Sequence, residues 1–242
     1  MSFSEDVRAA FRRGETDAVV RMSEAEIVRA QAAGDAAGEV EARYSLARVA
    51  IRRGDLSGGA ARAREALEIA LRSGDRGLEE RPRHVLAGVA RMSGDFVRAR
   101  DLYRESIALN EALDQPKMVN SEYHNLAFCE LGLGNLDVAR TLFADSRERV
   151  FHNGWTDFVP YVCVADAALA SAEADHPRAA RMIGVADAAF ASIGQVPDPD
   201  DAADLARVRA AAVEALGQAA FDEQYAEGRL LDPQAAFGDD RR

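Results

Sequence analysis

Apolar positions along this chain recur three and four residues apart, and no stretch of useful length alternates with period two. In one region the apolar residues are Val85, Leu86, Val89, Ala90 and Met92. After a polar break they resume at Phe96, Ala99, Leu102, Tyr103 and Ile107. The same arrangement returns at Leu126, Ala127, Phe128 and Leu131, then at Leu136, Ala139, Leu142 and Phe143. Each run is an apolar stripe along one helix face. The breaks are themselves periodic. Gly14, Gly54, Gly94 and Gly134 are 40 residues apart, and Gly34, Gly74, Gly154 and Gly194 fall half a period later. Asp114 and Ala174 fill the two remaining places of that series. Glycine just past a helix end closes the last turn in the left-handed conformation. The acid or amide that follows, as at Glu15, Asp55, Asp95, Asn135 and Asp175, suits the cap of the next helix. Each break therefore reads as stop, turn, start.

The pattern predicts helices over residues 3–13, 15–32, 36–53, 56–73, 76–93, 95–112, 117–133, 135–152, 157–173, 176–193, 199–216 and 218–228. The fold class expected is all-α, with antiparallel helix pairs stacked as repeats. The expected organisation is a single solenoid over 1–242. Its repeats run approximately over 1–34, 35–74, 75–114, 115–154 and 155–194, with an atypical last pair and cap over 195–242. The Pro/Asp-rich stretch at 196–204 breaks the beat. It reads as a loop and helix cap rather than a calcium loop, because EF-hand spacing is missing. The last thirteen residues, from Leu230, are expected to cap the last pair.

The spacing resembles that of the tetratricopeptide-repeat (TPR) family, with repeats of 40 rather than 34 residues. A leucine and a small residue precede the turn glycine at Leu46-Ala47, Leu86-Ala87 and Leu126-Ala127. A small residue follows it at Gly59, Ala99 and Ala139, and an aromatic at Tyr103 and Phe143, with Ala63 in the equivalent place. Ala66, Ser106 and Ser146 complete the signature, which lets paired helices approach closely. The fifth repeat keeps Ala179 and Ala186 but has Asp166 where leucine is expected. Within the C-terminal third, HPRAARMIGVADAAFASIG and EALGQAAFDEQYAEGRLLDPQAAF look like the end of the helical repeat region of large bacterial LuxR- and maltose-activator-type (STAND) regulators. Their ATPase phosphate loop and DNA-binding helices are not found in this sequence. The resemblance implies a right-handed superhelix whose first helices line a concave face.

That register places Tyr44, Arg48 and Arg52, then Arg81, His84 and Arg91, then His124 and Phe128, and Tyr161, on the face. Asn125 stands where clamp-type members of the family hold a peptide backbone or terminal carboxylate. The first helix adds Ser4, Arg8, Phe11 and Arg12. On these positions Arg8, Arg12, Arg48, Arg52, Arg81 and Arg91, with His84 and His124, stand against the single acid Glu41. Guanidinium forks match carboxylates and phosphates, so the expected ligand is an acidic or C-terminal peptide of a partner protein. The competing reading is a solvated face whose arginines pair with Glu41, Glu79 and Glu80. A sensor of a small molecule or signalling peptide, regulating transcription or a biosynthetic pathway, is the alternative function.

Composition narrows the field further. With 30 basic against 41 acidic side chains the net charge is -11, which argues against direct nucleic-acid binding. Apolar residues are 48% of the chain, which argues against disorder. No apolar run reaches membrane-spanning length, and the first residues carry charges throughout, so neither a membrane span nor a signal peptide is expected. Cys129 and Cys163 read as buried thiols, consistent with a bacterial cytoplasmic setting. His84 and His124 lie one repeat apart, too far to share one tetrahedral metal unaided, so no metal or other cofactor is expected. His152 and His176 fall at helix ends, and Trp155 reads as a packing anchor. No nucleophile elbow, HExxH, GxGxxG or CxxC occurs, so catalysis is not expected. Self-association through open solenoid ends is a further expectation.

Overall fold

A computed structural model describes residues 2–238. Among them every regular element is helical. They run α1 Phe3–Arg12, α2 Thr16–Ala33, α3 Ala36–Arg52, α4 Leu56–Ser73, α5 Glu80–Met92, α6 Phe96–Ala112, α7 Pro116–Gly132, α8 Leu136–His152, α9 Val159–Ala172, α10 His176–Ser192, α11 Pro199–Leu216, α12 Gln218–Gly228 and α13 Pro233–Ala236. Short 3-10 turns at Arg76–Leu78 and Thr156–Phe158 precede α5 and α9. The chain divides into two compact units, Met1–Asn125 and Leu126–Arg242. The all-α architecture of antiparallel helix pairs agrees with the periodicity.

The turns follow from the beat. All ten turn positions from Gly14 to Gly194, including Asp114 (φ 53°) and Ala174 (φ 61°), adopt the left-handed conformation. Asp35, Asp55, Asp95 and Asp175 each accept a hydrogen bond from a backbone N–H three residues on, as helix caps do. Glu15 and Asn135 make no such bond, and Asn135 instead donates to Glu130.

In the first unit the cores are small and local. Val7, Ala10, Phe11, Val19 and Val49 join α1, α2 and α3. Ala47, Ile51, Ala63 and Val85 join α3, α4 and α5. The signature small residues Ala47, Ala63, Ala66, Ala87 and Ala99 are fully buried, as close helix pairing requires.

The second unit holds one larger core built on α8 to α12. Trp155 packs against it, as expected of an anchor. α10 and α12 meet through glycine: a methyl group on Gly184 would strike the backbone of Tyr225, and one on Gly228 the backbone of Arg181. The chain after α12 was expected to cap the last pair. Its α13 packs on α10, and Phe237 sets its ring edge-on to Phe151 of α8 at 5.8 Å. Residues 239–242 of that segment lie outside the described residues.

Candidate functional site

The first helices of successive pairs, α1, α3 and α5, neighbour one another in the first unit. Their shared face brings together five residues expected from the register: Tyr44, Arg48, Arg52, Arg81 and His84. The Arg48 guanidinium lies 3.7 Å over the Phe11 ring and 5.5 Å over the Tyr44 ring. Arg52 lies 4.1 Å over the same Phe11 ring. Arg81 lies 5.4 Å over Tyr44. Aromatic and cationic side chains thus interleave along α1, α3 and α5, an arrangement that holds long arginines in place. Burial pushes the Tyr44 hydroxyl up, against the opposing influence of Arg48 and Arg81.

Acids balance this strip more than the register count implied. Glu41 accepts from Arg8 at 3.2 Å and is also bonded to Arg81. Glu80 lies 3.7 Å from Arg81, and Glu79 accepts from Arg83 at 2.8 Å. The pairing with Glu41, Glu79 and Glu80 therefore holds for Arg8, Arg81 and Arg83. Beyond Arg81 the strip becomes acidic and buried. Glu122 of α7 is fully buried; its Oε1 accepts from Ser106 at 3.0 Å and lies 3.0 Å from His84 Nδ1. Its second oxygen has no hydrogen-bond partner among the described residues. Tyr103 sets its ring edge toward His84. Burial pushes the Glu80 carboxyl up; His84 and Arg81 oppose that, while Glu122 and Glu41 reinforce it.

Other expected residues are not on this strip. Arg91 and His124 are buried, at 6% and 3% exposure. Asn125 is buried too, at 8% exposure, and its amide donates to the Ser121 carbonyl one turn back. Phe128 belongs to the second unit's core, where it meets the Phe143 ring edge-on at 4.9 Å. Tyr161, also of the second unit, packs on Phe158 and Phe190 and donates to Asp198 at 3.4 Å. Glu80 enters the sequence reading only as a pairing partner for arginine, and Glu122 is not among the five groove positions of its repeat. They stand 14 and 12 residues before their turn glycines, adjacent to counted positions.

No family model matches this chain. No curated protein matches it in sequence. Among solved structures it resembles a Rap protein complexed with Competence and Sporulation Factor, with a TM-score of 0.69 and 14% identity. That likeness covers 98% of this chain, which spans 65% of the length of the Rap chain. It also resembles BtubC (BKLC) from P. vanneervenii, with a TM-score of 0.57 and 18% identity, covering 94% of this chain and 91% of that one. The fold is that of a TPR-like helical repeat.

Proposed function

We propose that this chain is a non-enzymatic regulatory adaptor that binds a segment of a partner protein or peptide along the α1/α3/α5 face. The observation that supports this most is the interleaved strip of Phe11, Arg48, Arg52, Tyr44 and Arg81. A strip of half-exposed arginines and a tyrosine, stacked over the buried Phe11, resembles the residue types that dominate binding energy at protein interfaces. The proposed acidic character of the ligand rests on Arg48, Arg52 and Arg81 lying together along this strip. The Rap neighbour, solved with Competence and Sporulation Factor, favours a signalling factor as a second class of ligand. The 40-residue beat would make the chain one series of repeats, and the likeness of its C-terminal strings to LuxR-type regulators would place it near regulatory machinery.

The test is capture of partners from the source organism by the wild-type chain and by an Arg48→Glu, Arg52→Glu double variant of unchanged helicity. The variant should lose the partner at least tenfold, the effect of removing charge-assisted hydrogen bonds. A partner retained equally by both would refute this face as the site.

A further inference from the structure

Four polar side chains are enclosed in the third repeat. Glu80 of α5, Ser106 and Asn110 of α6 and Glu122 of α7 are buried, the last three completely. The preceding repeat shows what ordinary packing puts at these places. Forty residues earlier stand Val40, Ala66, Ala70 and Pro82. Val40, Ala66 and Ala70 form one apolar cluster between α3 and α4. Packing of the repeat therefore does not need polar groups there. Apolar residues commonly replace buried ionic clusters at no loss of stability, so the set in the third repeat calls for another reason.

The hydrogen bonds of the cluster are incomplete, and always on the acceptor side. Glu122 Oε1 accepts from Ser106 and lies 3.0 Å from His84 Nδ1. Glu122 Oε2 has no partner among the described residues. Asn110 donates its amide to the Ser106 carbonyl at 3.0 Å, which lays it along the same α6 face, and its Oδ1 is likewise unpartnered. Glu80 approaches Arg81 at 3.7 Å, beyond hydrogen-bond range, and Arg81 is also bonded to Glu41. Burial pushes the Glu80 carboxyl up; His84 opposes this and Glu122 adds to it, so the two acids and the imidazole act on one another. A buried acceptor left without a donor requires an explanation, and two stand here together.

We propose that this cluster between α5, α6 and α7 is a binding site for a primary ammonium group. An alkylammonium carries three N–H donors and no acceptor. That is the complement of Glu122 Oε2, Asn110 Oδ1 and the Glu80 carboxylate. Its positive charge also suits two neighbouring buried acids. The way in passes His84 and Arg81, the partly exposed side chains beside Glu122 and Glu80, at 29% and 27%. Two sources offer this chemistry: a free alkylamine, or a lysine side chain of a peptide. The site adjoins the α1/α3/α5 face at Arg81. Small amines probe it with no partner on that face, so the two readings fail separately.

Isothermal titration of the full chain with n-butylammonium, with Nα-acetyl-lysine N-methylamide and with tetramethylammonium, each as the chloride, tests the proposal. The two primary amines should bind saturably. Tetramethylammonium, which has the charge without the donors, should not. Tighter binding of n-butylammonium assigns a free amine, and tighter binding of the lysine derivative assigns a peptide side chain. Glu122→Gln, which keeps the side chain's shape and an acceptor for Ser106, should weaken both amines at least tenfold. Asn110→Ala, which installs the residue of the preceding repeat, should weaken them by less. If Glu122→Gln loses its helical circular dichroism, Asn110→Ala carries the comparison. A purely structural cluster would shift the melts of these variants and leave no amine binding to lose. Absence of saturable binding, equal binding of tetramethylammonium, or wild-type affinity in the folded variants would overturn the proposal.

Discussion

The left-handed turns show how one residue carries a repeat's geometry. Positions 114 and 174 adopt the same φ as their glycine counterparts although they hold Asp and Ala. For an L-residue with a Cβ that conformation costs roughly 1–2 kcal/mol. Glycine recovers this, less the ~0.4–1 kcal/mol it loses in unfolded-chain entropy. Ala174 is exposed, so no packing is lost on substitution. Ala174→Gly should therefore stabilise the protein by about 0.5–1 kcal/mol, read as a rise in the urea midpoint at constant slope. Gly54→Ala, in open space at φ 83°, should lose about 1 kcal/mol by the same measurement. Glu80 gives a prediction in pH. Its carboxyl is pushed up in the folded state, so the folded chain binds more protons than the unfolded one above the ordinary value of 4.5. Stability from this group is present at low pH and falls as pH rises through its folded value. Glu80→Gln should then gain on wild type between pH 4 and pH 7 in parallel denaturant melts; a change of opposite sign would refute the burial argument.

At the scale of elements, periodicity and punctuation located the helices because both are local. The ends of eleven predicted helices fall within two residues of those observed, judged from the same turn glycines and caps. Two starts differ. Residues 76–78 and 156–158 form 3-10 turns, and α5 and α9 begin after them. Pro82 and Pro160 sit in the first turns of those helices and lack an N–H for the ladder. The α13 turn at 233–236 was not foreseen, since four residues carry no periodic signal. Nor was the meeting of α10 and α12, because glycine inside a helix reads in sequence only as a weak point. In the structure it permits backbone contact. Gly184→Ala and Gly228→Ala should each destabilise the second unit by about 1–3 kcal/mol, since backbone rather than a flexible side chain must yield. Calorimetric or denaturant melts that move by less than a few tenths of a kcal/mol would mean the helices separate freely.

For the molecule as a whole, the net charge of -11 and the basic register positions looked opposed in sequence. The structure relates them in part: Glu41, Glu79 and Glu80 pair with Arg8, Arg81 and Arg83. The register could name Tyr44, Arg48, Arg52, Arg81 and His84 because each repeat turns the same positions to the same side. It could not name Glu122 or exclude His124 and Asn125, because their burial depends on which neighbouring helix covers them. The cysteines were legible in kind, as small apolar residues on helix stripes, and both prove fully buried in the second unit. Burial pushes the Cys163 thiol up, with Asp166 adding to the shift. The thiolate is the reactive form, so exclusion from solvent and a raised pKa act in the same direction. At about pH 8 neither thiol should react with a colorimetric disulfide reagent in the native protein. Under rising urea, labelling of Cys163 should track loss of the second unit's structure, because the core that holds it is continuous from α8 to α12. Rapid labelling without denaturant would show that this core opens locally, at a free energy well below that of global unfolding.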